Sequence, residues 1–162
     1  DFGKPIAIRY PRGEAYDGLK EFRQPVELGK SEVIYKGSKI ALLAVGSMVK
    51  TALAVYDMLI EQGIEVTLIN ARFVKPIDEE MITELSKEHN LLVTMEENVI
   101  SGGFGEKVIH FVNQEGLPVQ VLPIALPDAY VEHGNVEVLK KDIGIDKDTI
   151  FERIMAESKD LL

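Results

Sequence analysis

The sequence contains no cysteine. That excludes disulfide staples, thiolate metal sites and cysteine nucleophiles together, and it fits a reducing cytoplasm. It also lacks any run of 18 apolar residues, so no segment reads as a membrane-spanning helix. The sequence shows no charged-then-apolar stretch at its start, so no export signal is expected from it. Histidine is scarce: His89, His110 and His133 lie far apart and share no ligand spacing, which argues against a metal site. An excess of positive charge is missing too. The net charge is −9, and a chain that acidic repels phosphate backbones at long range, making nucleic acid a poor partner. A local Arg or Lys cluster still suffices to hold one small phosphate.

What is present suits one packed domain: 162 residues, 46% hydrophobic and 28% charged. The opening "KPIAIRY" predicts a strand that runs straight into Pro11, Arg12 and Gly13. There a guanidinium sits at the tip of a stiff turn, and the chain reads as a fragment that starts inside a larger unit. Residues 14–30, with Gly18, Pro25 and Gly29 and no sustained period, read as a linker. The boundary is placed so that 1–27 is a terminal strand plus linker and 28–162 is the main domain.

Beyond it the pattern is regular. "EVIY", a Lys36-Gly37-Ser38 turn and the apolar run Ile40 to Val45 predict a hairpin whose second strand is covered on both faces. Ser47 is the expected N-cap of a helix with Val49, Leu53, Val55, Tyr56 and Leu59 on or near one face, closed by Gly63. "IEVTLINA" is the next strand, and Asp78 caps a helix carrying Met81, Ile82 and Leu85. "NLLVTMEEN", a helix from Gly105, "PVQVLPIAL" and two short terminal helices follow. Strand and helix alternating at this interval predict an α/β fold. The expectation is a three-layer sandwich with about five strands, mostly parallel, and one antiparallel strand at an edge.

Sites in such sheets gather at the carboxyl ends of the strands. Gly46-Ser47, Ala71-Arg72-Phe73, Glu96-Glu97-Asn98 and Leu126-Pro127-Asp128 leave those ends toward one expected crevice. The turn "SGGFG", with Gly102, Gly103 and Gly105, reads either as close packing of a helix on the sheet or as an anion-binding nest. It matches neither a dinucleotide fingerprint nor a P-loop, and close packing is the favoured reading. Glu96 and Glu97, adjacent on a strand, point to opposite faces. They suit a solvated edge or an interface salt bridge better than shared acid–base work. Arg72 and Lys75 either hold an anion or pair with Glu96 or Glu97, and pairing is favoured. His133 titrates near neutrality if free, but a lone histidine suits a structural role as well. No nucleophile with a base, no metal cluster and no complete cofactor motif is present.

Four motifs read in order: "AIRYPRGE", "ARFVKPIDEEMI", "LLVTMEENVISGGFGEKV" and "LPDAYVEHG". Together they resemble the C-terminal region of the 1-deoxy-D-xylulose-5-phosphate synthases, thiamine-diphosphate enzymes of the transketolase group. The resemblance covers nearly the whole chain. The middle two motifs also suit the last domain of transketolase and of 2-oxoacid dehydrogenase beta subunits. Phe104 departs from the small residue the synthases often carry there.

The resemblance implies a cytoplasmic homodimeric parent enzyme that condenses pyruvate with glyceraldehyde 3-phosphate and releases carbon dioxide. Its product would feed isoprenoid, thiamine and pyridoxal synthesis. Thiamine diphosphate and magnesium would be bound by the remaining domains, with no cofactor, metal or catalytic residue in this piece. Arg12 matches the arginine that contacts the substrate phosphate, a role its planar fork of donors suits. Arg9 is read as a structural or surface cation. Two other functions stay open: a pure assembly module in which Arg12 is irrelevant, and an effector-binding domain built on the glycine turn.

Overall fold

The computed structural model describes residues 3–10 and 16–159. Five strands form one sheet: β1 (Glu32–Tyr35), β2 (Lys39–Ala44), β3 (Val66–Asn70), β4 (His89–Val99) and β5 (Gln120–Leu126). The order is β1-β3-β2-β4-β5, parallel throughout except for β1, which runs antiparallel along β3. The helices are α1 (Met48–Glu61), α2 (Glu79–Glu88), α3 (Phe104–Glu115), α4 (Val136–Asp142) and α5 (Lys147–Glu157). The α/β class, the strand count and the antiparallel edge strand are as the alternation predicts.

Strand periodicity divides the core in two. Leu42, Ala44, Leu68, Val93 and Met95 face α1 and α5, joined there by Val55, Leu59, Ile150 and Ile154. Ala41, Leu43, Ile69 and Leu92 face the other way, onto Ile82 and Leu85 of α2 and Phe104, Val108 and Val112 of α3. Each buried Leu or Ile removes enough apolar surface to contribute about 1.5–3 kcal/mol. β2 is apolar on both faces because it lies at the centre. Phe104 is 2% exposed, so the large residue in the glycine turn is a core side chain.

The predicted hairpin does not form. The turn at Lys36-Gly37-Ser38 is there, but β3 lies between β1 and β2. A turn followed by an apolar run does not specify which strand the run pairs with. Here the doubly apolar β2 takes the centre, whereas β1, buried only at alternate residues, takes the edge. Gly37 is pressed onto the start of β3: a Cβ there would stand 2.5 Å from the Val66 carbonyl oxygen. Its N–H donates to Thr67 Oγ1 at 3.0 Å. The same hydroxyl lies 2.7 Å from His89 Nε2, whose Nδ1 is 3.0 Å from the Leu85 carbonyl oxygen, making His89 a buried structural residue.

Caps divide likewise. Asp78 accepts from the Met81 N–H at 3.2 Å and caps α2 as expected, and it also accepts from the Ser31 N–H at 2.7 Å. Gly63 closes α1 in the left-handed region, at φ 76°. Ser47 makes no cap bond to α1. Its hydroxyl is drawn instead to the Glu97 carboxylate.

Residues 5–10, expected as a strand, pair with none of the five strands. They lie in no strand or helix, and Ile6, Ile8 and Tyr10 are 61%, 80% and 85% exposed. A strand requires a neighbour, and none of the five offers one. The linker, by contrast, is fixed to the domain. A short 3-10 turn at Lys20–Phe22 sets the Phe22 ring edge-on to Tyr35, which stacks on Tyr56 of α1 at 4.9 Å.

Candidate functional site at the strand ends

In this sheet the chain leaves β2 toward α1 on one face and leaves β4 toward α3 on the other. The loops diverge between β2 and β4, which is where an open parallel sheet leaves a crevice. A cavity of about 1060 Å³ lies there. Gly46 and Ser47, Asn70 and Arg72, and Glu97 line it from the ends of β2, β3 and β4. Linker residues 16–19 and the starts of α4 and α5 complete its walls. Three of the four predicted strand-end segments therefore meet. Leu126-Pro127-Asp128 does not line the cavity.

Glu97 spans the divergence. Its Oε2 accepts from Ser47 Oγ at the start of α1, and its Oε1 pairs with Lys140 Nζ of α4 at 2.8 Å. Its main-chain oxygen accepts from the Arg9 guanidinium at 3.3 Å, an exposed contact in keeping with the structural or surface cation expected. Burial raises the carboxyl's pKa, but the hydrogen bonds from Lys140 and Ser47, with the charges of Lys140 and Arg9, outweigh it and leave the pKa below its ordinary value. A depressed carboxylate contributes stability above its unfolded pKa and loses it as pH falls through the folded one. The Lys140→Met variant should thus be less stable than the parent near neutrality, by about 0.5–1 kcal/mol. The difference should vanish in acid. Denaturant melts across pH check this, and a pH-independent difference would refute it.

Glu96, one residue earlier, turns to the opposite face as strand geometry requires. It is neither solvated nor part of a salt bridge, contrary to expectation. Its side chain is wholly buried, and its two oxygens accept from the Phe104 N–H at 2.9 Å and the Gly105 N–H at 2.8 Å. The glycine turn is an anion nest, and the anion is the protein's own. A carboxylate there also meets the positive end of α3. Close packing explains the glycines: a Cβ on Gly103 would stand 2.5 Å from Glu96 Oε1, and one on Gly105 would stand 2.7 Å from Thr94 Oγ1. An external effector would have to displace Glu96 from these amides.

Arg72 does pair, but with Glu32 of β1 at 2.6 Å and not with Glu96 or Glu97. It also donates to the carbonyl oxygens of Gln24 and Pro25, while Glu32 accepts from the Gln24 N–H at 2.9 Å. Because β1 runs antiparallel beside β3, the start of β1 meets the end of β3, and Glu32 lies opposite Asn70. Arg72 thus clamps the linker to the sheet. Lys75 and His133 are exposed and make no hydrogen bond or ion pair among the described residues. Arg12 lies outside the described residues.

These groups can hold charge and fix loops. Among the described residues no three His, Asp or Glu side chains gather into a metal-binding cluster, and the nest amides are taken by Glu96. No described helix is long and apolar enough to cross a membrane.

Comparison with known proteins adds the following. The family described as "Transketolase, C-terminal domain" matches residues 29–150. A protein of Lachnoclostridium phytofermentans named 1-deoxy-D-xylulose-5-phosphate synthase is 46% identical over 155 residues, covering 95% of this chain and 25% of that protein. One of the same name from Aquifex aeolicus is 40% identical over 148 residues, covering 91% and 24%. The chain thus spans about a quarter of these curated relatives. Among solved structures, a "Split gene transketolase, inactive beta4 tetramer" superposes with a TM-score of 0.76 at 25% identity, over 86% of this chain and 44% of that one. A transketolase from Campylobacter jejuni reaches 0.55 at 16% identity, over 79% of this chain and 18% of that one.

Proposed function

The chain belongs to the transketolase C-terminal domain family, and from that premise we propose that it is the C-terminal part of a 1-deoxy-D-xylulose-5-phosphate synthase. The parent enzyme condenses pyruvate with glyceraldehyde 3-phosphate and releases carbon dioxide, supplying precursors for isoprenoids, thiamine and pyridoxal. The observation that carries this reading is identity of 46% over 95% of the chain to a protein of that name. Within the enzyme, residues 28–162 scaffold the dimer, and residues 1–27 are the last strand of the preceding domain and its linker. The exposed alternation Ile6, Ile8, Tyr10 supports a strand whose partners lie elsewhere in the parent. Thiamine diphosphate, magnesium and the covalent chemistry are assigned to the rest of the enzyme, which works in the cytoplasm. This part contributes Arg12 to the substrate phosphate.

The test is an assay of the complete protein with pyruvate and glyceraldehyde 3-phosphate. Carbon dioxide release with formation of 1-deoxy-D-xylulose 5-phosphate is expected, and residues 1–162 alone should show neither. Two-carbon transfer from a ketose phosphate, without pyruvate decarboxylation, would instead place the parent among the transketolases. Turnover by the isolated piece would overturn the division of labour.

A further inference from the structure

α4 is fastened differently from every other helix. It is seven residues long and contributes no buried residue. Alone among the five α-helices, it has no more than scattered contact with any other helix or strand. Its half-buried Leu139 folds back on its own lead-in: a Cβ on Gly134 would meet Leu139 Cδ2 at 3.4 Å. The face made by Val136, Glu137, Lys140 and Lys141 lines the strand-end cavity.

The two ends are held differently. The lead-in from β5 is largely exposed, with Tyr130 at 99%, and ends at Gly134 and the capping Asn135. The exit is Gly144, at φ 74°, a left-handed C-cap. Its N–H is bonded to the Lys141 carbonyl oxygen and the Ile145 N–H to that of Lys140, which ties this end of α4 to the buried Ile145. One residue later Ile145 is 2% exposed in the core, and Asp146 caps α5 through the Asp148 and Thr149 N–H groups. This is the anchored end.

The tie across the gap is the pair of Lys140 Nζ and Glu97 Oε1, 2.8 Å apart, with side chains 22% and 31% exposed. We propose that α4 is a strap over the strand-end cavity, anchored at its C-terminal end, latched by Lys140 to Glu97 and able to lift away from its exposed lead-in side. Release uncovers Ser47 and Glu97 at the divergence between β2 and β4, and the cavity changes from walled to open on that side. The strap does not depend on which reaction the parent enzyme catalyses.

Hydrogen exchange on the full chain tests it, using Glu97→Gln, Lys140→Met and the double variant. A half-exposed ion pair of ordinary strength implies faster exchange by about threefold over 136–145 in each single variant. Peptides from β2 and β4 should be unchanged, and the double variant no faster than either single one. Raising salt should move the parent chain toward the variants and leave the variants where they are. Equal exchange over 136–145 in all four proteins would overturn the latch. So would an equal rise throughout the sheet, which would make Glu97 a general support. Lys140 is partly exposed, so its variant keeps the test meaningful if Glu97→Gln fails to fold.

Discussion

Glu96→Ala is expected to cost about 3 kcal/mol, because it leaves two buried amide N–H groups without acceptors at the start of α3. In a domain of this size that lowers Tm by about 6–12 °C. The loss should be concentrated at one place: exchange of the Phe104 and Gly105 amides should rise before that of the β2 or β3 cores. Glu96→Gln keeps one acceptor but turns an NH2 toward the other N–H, so it should recover only part of the loss. Gly105→Ala should be damaging by a separate route, since its Cβ would stand 2.7 Å from Thr94 Oγ1 and 3.1 Å from Pro123 Cβ. A fall of less than about 2 °C for Glu96→Ala would mean that water replaces the carboxylate at little cost. Inorganic phosphate is the informative additive. If it raises the Tm of Glu96→Ala and not of the parent, the emptied nest accepts an external anion.

The two glutamates also show how far a sequence can be read. Their opposite directions follow from strand period alone, and the structure has them so. Their partners do not follow, because each lies across a loop closure that no local pattern encodes. Glu96 reaches eight and nine residues ahead, around a turn that brings the start of α3 back over its own strand. Glu97 meets Ser47 and Lys140, 50 residues before it and 43 after it in the chain. Ser47 has the chemistry of a cap and is taken from that role by a stronger acceptor. Arg72 was legible as a paired cation, but choosing Glu32 required knowing that β1 lies antiparallel beside β3. The parallel core was readable because doubly apolar strands admit few positions in a sheet. Residues 5–10 show the converse: alternation marks a segment that can pair, and pairing depends on what stands beside it, which none of the five strands supplies.

In the complete enzyme, Arg12→Ala is expected to lower kcat/KM for glyceraldehyde 3-phosphate by about 30-fold or more. Truncating a well-placed charged partner costs about 2–5 kcal/mol, and 2 kcal/mol already gives that factor. Unphosphorylated glyceraldehyde, which lacks the group Arg12 is proposed to bind, should react with unchanged kcat/KM. Arg12→Lys keeps the charge and loses the planar fork, so it should fall between parent and alanine. Arg9→Ala is the control: its guanidinium is held to the Glu97 main chain, so its loss should act on both acceptors alike. A loss confined to the phosphorylated acceptor makes Arg12 the phosphate clamp and gives this C-terminal part a share of the active site. A loss shared by both acceptors, or none at all, removes Arg12 from substrate binding and leaves the domain as scaffold.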